Sequence, residues 1–101
     1  MVMTQKDVVK ILRKEQKYLK DTFGIKRIAL FGSFAKASAK KNSDIDIFIE
    51  FDNPLGLRFF QLGDYIEKKM GRKVDLLTPG GIKGIRVKKV AEDIRRSLVD
   101  V

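Results

Sequence analysis

Apolar residues recur at helical spacing through Val8, Ile11, Leu12, Leu19 and Phe23, and Lys10, Arg13, Lys14, Lys17 and Lys20 occupy positions between them. That period predicts an amphipathic helix of about five turns. Thr4 is placed to cap its start, with Asp7 three residues on as a reciprocal partner, and Gly24 to end it. The period then changes. Over residues 25–31, Ile28 and Leu30 alternate with Ala29 and Phe31, the pattern of a strand, which Gly32 interrupts. Residues 33–39 are small and alanine-rich, predicting a short helix with Ser33 near its start, and residues 40–43 form a polar turn. Residues 44–51 read as a second strand, with Ile45, Ile47, Ile49 and Phe51 on one face and Asp44, Asp46, Phe48 and Glu50 on the other.

After a loop around Pro54 and Gly56, residues 57–70 return to helical spacing. Phe59, Leu62, Ile66 and Met70 form the inward stripe, and Gly71 is the stop. Residues 73–77 predict a short third strand, 78–81 a Pro-Gly turn or flexible loop, and 87–99 a last helix carrying Val87, Val90, Ile94 and Leu98. The expected fold is α+β, a small mixed β-sheet flanked by helices in the order αβαβαβα, with residues 1–101 as a single domain.

Composition narrows the chemistry. The 101 residues contain no cysteine and no histidine, which excludes thiol chemistry, a Ser-His-Asp triad and histidine-held zinc within the chain. Carboxylates are left as the metal ligands. No run approaches the roughly 20 apolar residues of a membrane span, and no secretory leader pattern opens the chain. A cytoplasmic protein with no membrane association is the expectation. The formal net charge of +9 favours anionic partners, whether nucleotides, nucleic acid or an acidic protein. The cations are dispersed without interleaved aromatics, so nucleic acid ranks last as a direct substrate. The basic face of the first helix reads more readily as a solvated surface than as a functional patch.

Two constellations could carry chemistry. Gly32-Ser33 lies where a strand feeds a helix. Backbone N–H groups there attract phosphate, glycine permits close approach and serine adds a hydroxyl. The same serine could equally be a helix cap. Asp44 and Asp46 alternate along one strand, so both side chains share a face about 6–7 Å apart along the chain and could converge on divalent cations. They could equally be two exposed charges at a strand start. Asp75, on the third strand, can join them if the strands are neighbours, and three carboxylates suit two-metal phosphoryl transfer.

Gly32-Ser33, ten intervening residues, Asp44-Ile45-Asp46 and a later Asp75 resemble the polymerase-beta-type nucleotidyltransferase superfamily. The likeness is greatest to its minimal prokaryotic nucleotidyltransferases and extends over nearly the whole chain. The resemblance implies Gly32, Ser33 and Lys36 on the nucleotide phosphates, and Asp44, Asp46 and Asp75 as metal-binding, catalytic residues. Asp75 would also help deprotonate the acceptor. Two Mg²⁺ ions and ATP as substrate are implied. Larger members hold base and acceptor with a second domain that this sequence does not contain, so the expected acceptor lies on a partner. In the minimal group that partner is a HEPN-domain toxin, whose tyrosine receives AMP from its antitoxin. Lys36-Ala37 stands where such proteins often carry Arg-Gly, and an ammonium lacks the guanidinium's forked grip on phosphate. That departure keeps open a non-catalytic antitoxin acting by binding. Transfer to a small-molecule hydroxyl is the other alternative.

Overall fold

The computed structural model describes residues 3–36, 39–40, 43–83 and 88–101. Helix α1 (Gln5–Phe23) begins and ends on the predicted signals. Thr4 Oγ1 accepts from the Asp7 N–H at 3.3 Å while Asp7 Oδ2 accepts from the Thr4 N–H at 2.9 Å, a complete capping box. Gly24 closes the helix with φ 67°, a left-handed position that costs glycine little, and its N–H donates to Lys20 O at 2.9 Å.

Strand β1 (Ile25–Phe31) follows at once and pairs antiparallel with β2 (Ile45–Phe51), Leu30 opposite Ile47 and Phe31 opposite Asp46. Between them α2 (Gly32–Ala35) is a single turn. It starts one residue earlier than the small-residue run suggests and ends at Ala35; Ala37 and Ser38 lie outside the described residues. Asp44 falls just before β2 rather than within it. Helix α3 (Arg58–Met70) starts one residue later than expected, with no side-chain cap at Leu57, and Gly71 ends it in the left-handed region. The α3 crossover lets β3 (Val74–Leu77) run parallel to β2, since parallel neighbours require a long connection.

The sheet order is β3-β2-β1-β4, mixed as expected. Ile45, Ile47 and Ile49 are fully buried beside Leu30 under Val8, Leu12 and Leu19 of α1 and Leu62 and Ile66 of α3. Each such aliphatic side chain contributes about 1.5–3 kcal/mol by leaving water. The opposite face carries a smaller cluster of Ala29, Phe48 and Ala91, flanked by Phe31, Leu77, Ile94 and Leu98. Among the described residues no helix is long and apolar enough to cross a membrane.

The C-terminal part departs from expectation in two places. Residues 78–81 open a short helix, α4 (Pro79–Lys83), because Thr78 Oγ1 accepts from the Gly81 N–H at 3.1 Å. The last helix, α5 (Lys88–Arg96), is shorter than residues 87–99, and Val87 lies outside the described residues. The Ser97 N–H still reaches Asp93 O at 3.0 Å, but Leu98 leaves the helix and β4 (Val99–Asp100) joins the free edge of β1. Arg27 secures that edge: Nε donates to Asp100 Oδ1 at 2.7 Å and Nη2 to Oδ2 at 3.1 Å, while the guanidinium lies 5.6 Å from the Phe48 ring centroid. The element order is therefore the expected αβαβαβα with α4 and β4 added.

Ile47→Ala should cost about 2–5 kcal/mol, read as a lower urea midpoint. Arg27→Ala should cost below about 1 kcal/mol, because its ion pairs are largely exposed. It should nonetheless speed hydrogen exchange at the Val101 N–H, whose 3.1 Å bond to Ile28 O depends on β4 staying docked.

Candidate active site

Three chain segments meet at one corner of the sheet. Strand β1 ends at Phe31 opposite Asp46, so the next residue, Gly32, turns beside that carboxylate. Gly32 has φ 69°. A Cβ there would overlap Asp46 Oδ2 and stand 3.1 Å from its Cγ. Both the backbone angle and the space select glycine. On the other side of β2, Asp75 is the parallel register partner of Asp46. Adjacent strands lie about 4.8 Å apart, so the two carboxylates project side by side from one face.

Asp46 is the electrostatic centre of this corner. Burial pushes its carboxyl above the usual carboxylate range, and the nearby charges of Asp75 and Asp44 push it the same way. Lys73 Nζ lies 3.9 Å from Asp44 Oδ2, but both side chains are well exposed, so water screens that pair. Among the described residues no ion pair reaches Asp46 or Asp75.

The structure therefore brings Gly32, Asp44, Asp46 and Asp75 to one place. Ser33 sits in the first turn of α2 beyond its N-cap, Phe31, so it is not the capping residue. Lys36 closes that turn, its N–H donating to Gly32 O at 3.1 Å and its side chain exposed. Ala37 lies outside the described residues. A single turn is too short for a sizeable helix dipole, so phosphate affinity there would rest on backbone N–H groups, the Ser33 hydroxyl and Lys36.

Three supporting residues carry no motif. Arg72 Nη1 donates to Ser43 O at 3.3 Å and its guanidinium lies 5.7 Å from the ring centroid of fully buried Phe34, tying the entry of β2 to α2. Gln5 Nε2 donates to Ala35 O at 3.0 Å, anchoring α2 to the start of α1. Lys73 flanks Asp44 from the residue just before β3. Their proximity is created by the fold across about 30 residues of chain in the first two cases. The one local cue was the position of Arg72 and Lys73, directly after the α3 stop and before Asp75.

A divalent metal is implied by the resemblance, and the donor set can be tested against it. Asp44, Asp46 and Asp75 offer only oxygen ligands and are mutually repulsive, as suits a hard cation such as Mg²⁺. Among the described residues no group of three or more carboxylates is already arranged as a metal cage. The set is thus an open carboxylate face rather than a closed site. Mg²⁺ commonly completes such a face with water and substrate phosphates.

The raised Asp46 value has a definite sign. The folded chain holds that proton more tightly than the unfolded chain. Its stabilising contribution is full below the ordinary carboxylate range and is lost as pH rises through the elevated value. Asp46→Asn should therefore raise the melting temperature of the metal-free protein at neutral pH. The gain should shrink as both proteins are acidified. Mg²⁺ should raise the wild-type melting temperature and leave that of Asp46→Asn nearly unchanged, a measurement that needs no activity.

Comparison with known proteins supplies the family. Residues 9–99 match the family model described as a nucleotidyltransferase domain. The chain is 44% identical over 91 residues to "Putative protein adenylyltransferase MJ0128" of Methanocaldococcus jannaschii, covering 89% of this chain and 93% of that protein. It is 33% identical over 94 residues to "Protein adenylyltransferase MntA" of Thermococcus cleftensis, covering 92% and 95%. Among solved structures, a putative minimal nucleotidyltransferase superposes with a TM-score of 0.74 at 23% identity, over 98% of this chain and 97% of that one. A toxin-antitoxin structure with AMP-PNP superposes with a TM-score of 0.64 at 19% identity, over 97% and 72%. At those identities the two structures speak for the fold. Their agreement with the matched domain and the close relatives gives one answer: the chain is a nucleotidyltransferase, a member of the nucleotidyltransferase domain family.

Proposed function

We propose that this nucleotidyltransferase moves AMP from ATP to a tyrosine hydroxyl of a HEPN-type toxin, acting as that toxin's antitoxin. The observation that carries the reading is the corner itself. A glycine turn suited to phosphate touches Asp46, which shares its face with Asp75 and feels the charge of Asp44. The protein acceptor is supported by the names of the relatives, and the toxin partner by the toxin-antitoxin fold neighbours.

Each residue has a task in this reading. Gly32 lets the backbone come close to the triphosphate, and Ser33 and Lys36 steady its oxygens. Asp44, Asp46 and Asp75 would hold two Mg²⁺ ions, which supply charge neutralisation for the triphosphate and activation of the acceptor. The acceptor oxygen attacks the α-phosphorus of ATP. A new P–O bond forms, the bond from that phosphorus to the bridging oxygen breaks, and pyrophosphate departs. Asp75 accepts the hydroxyl proton as the bond forms. Arg72 and Gln5 act as positioning residues, holding the Ser43 and Ala35 carbonyls on either side of the site.

A second reading, binding without transfer, is favoured by one feature: Lys36 where a bidentate arginine would grip phosphate better. In that case the double variant Asp44→Asn/Asp46→Asn neutralises the partner as well as wild type does.

The direct test incubates the protein with α-labelled ATP, Mg²⁺ and a HEPN-domain toxin, the proposed partner. Label should appear on the partner. Asp46→Asn should reduce its rate by about a hundredfold or more, the scale of a lost transition-state electrostatic contact. Undiminished labelling by Asp44→Asn/Asp46→Asn would sink the assignment. Gly32→Ala should impair transfer comparably, since its methyl displaces the Asp46 carboxylate, while costing about 1–2 kcal/mol of stability for the left-handed backbone. Lys36→Arg should lower the apparent KM for ATP several-fold if the fork improves phosphate binding.

A further inference from the structure

The strongest feature outside the carboxylate corner is a stripe of cations. Lys6, Lys10, Arg13, Lys17 and Lys20 follow one another at three- and four-residue intervals, so they line a single face of α1 over about 21 Å. All five are exposed, as is Lys26 at the start of β1. None of the six has an ion-pair partner among the described residues. Three acids share the helix, but Asp7 is engaged in the N-terminal capping box and Glu15 pairs with Lys69, which leaves Asp21 beside the stripe.

The stripe borders a groove rather than a flat surface. Arg13, Lys17, Lys20 and Lys26 line a cavity of about 460 Å³ between α1 and β1. A second cavity of about 510 Å³, also reached by Arg13, continues the groove toward the α1 N-terminus and the β4 edge, where Val9 and Val99 add apolar surface. Asp100, the acid on this lining, is already engaged by Arg27. The lining contains no aromatic ring, whereas single-stranded nucleic acid is held largely by base stacking. A helix with acidic residues at i, i+3, i+4 and i+7 repeats with the same period as the lysine stripe, so charges on two adjacent helices can be matched turn by turn.

We infer that this groove is a docking surface for an acidic amphipathic helix of a protein partner. The inference deepens the proposed function and rests on its reading of the acceptor as a protein. Gln5 connects the two. It lines the N-terminal end of the groove and donates to Ala35 O, the last residue of α2. A helix lying along α1 ends beside the turn that carries Gly32 and Ser33. Docking there brings partner surface to the edge of the carboxylate corner.

The test measures binding without nucleotide. The probe is a fluorescein-labelled helical peptide of about five turns, with glutamates on one face and leucines on the other, followed by anisotropy against the full chain. A single-stranded RNA oligonucleotide of equal charge serves as competitor. Lys10→Glu/Lys17→Glu should weaken peptide binding about tenfold or more. Lys68→Glu/Lys89→Glu, the same charge change on α3 and α5, should weaken it less than about twofold. Circular dichroism and the Mg²⁺-dependent rise in melting temperature should be retained by both pairs. Equal weakening by the two pairs, absence of peptide binding, or displacement of the peptide by RNA at lower concentration would each overturn the inference. Failure here leaves the AMP-transfer experiment untouched, and failure of AMP transfer leaves this binding measurement interpretable.

Discussion

Asp46 and Asp75 repel each other, and the fold holds them together regardless. They are register partners on parallel strands, so neither can withdraw without breaking the β2–β3 ladder. The restraint comes from the other face of the same strands. Ile45, Ile47 and Ile49 are fully buried and Val74 nearly so, against α1 and α3. A slip of one residue would turn those side chains to the acidic face and the aspartates into the core. Hydrophobic burial on one side therefore enforces electrostatic strain on the other. The parallel register depends in turn on the α3 crossover, whose helix is stopped by Gly71 three residues before β3 begins.

The same constraint accounts for the glycine turn. Phe31 must face Asp46 because β1 and β2 share a ladder, and the chain must then reverse in the space beside a carboxylate. A side chain at position 32 would occupy the place of the Asp46 oxygen. Gly32 and Asp46 are fourteen positions apart in the sequence but form one structural unit, and their spacing reflects the length of chain needed to go out through α2 and return as β2. Phe34, buried under Arg72, fixes the outward leg.

Much of this was legible from residue patterns alone. The α1 capping box, the left-handed stops at Gly24 and Gly71, the β1 bounds and the two faces of β2 follow from local chemistry and strong periodicity. Alternation along the strands singles out Asp44, Asp46 and Asp75 as candidates for one face, Gly32 stands out as the break after β1, and the resemblance joins them into one proposed site. What escaped is short or held at long range. Strand β4 has two residues, too few for any period, and exists because Arg27 and β1 receive it across about 70 residues of chain. Thr78 looked like part of a turn because one hydroxyl bond, not a repeat, starts α4. Alanine propensity over residues 33–39 predicts a longer α2 than the turn that forms, because propensity is a weak guide when a single turn packs against its surroundings. Arg72 and Gln5 act on backbone carbonyls about 30 residues away, a role with no sequence signature.

The distribution of charge adds a last argument about what the carboxylate corner is for. With twenty-two lysines and arginines against thirteen acids, a chain that needed only to relieve the repulsion between Asp46 and Asp75 had ample cations for it. Among the described residues, the one ion pair at the corner is Lys73 with Asp44, long and exposed. Arg72, the residue before Lys73, donates to Ser43 O and lies over the Phe34 ring. A lysine placed on Asp46 would relieve its repulsion with Asp75 and would also fill the space that the proposed divalent ion and phosphate would take. Meanwhile Lys6, Lys10, Arg13, Lys17 and Lys20 line one exposed face of α1 without an ion pair among the described residues. The acidic corner is less stable alone than it could be, and under the proposed reading each surface has its complement in a ligand or partner. Gln5 and α2 link the acidic corner to the basic groove, so the proposed nucleotide site and the proposed docking surface are two ends of one connected piece of the fold.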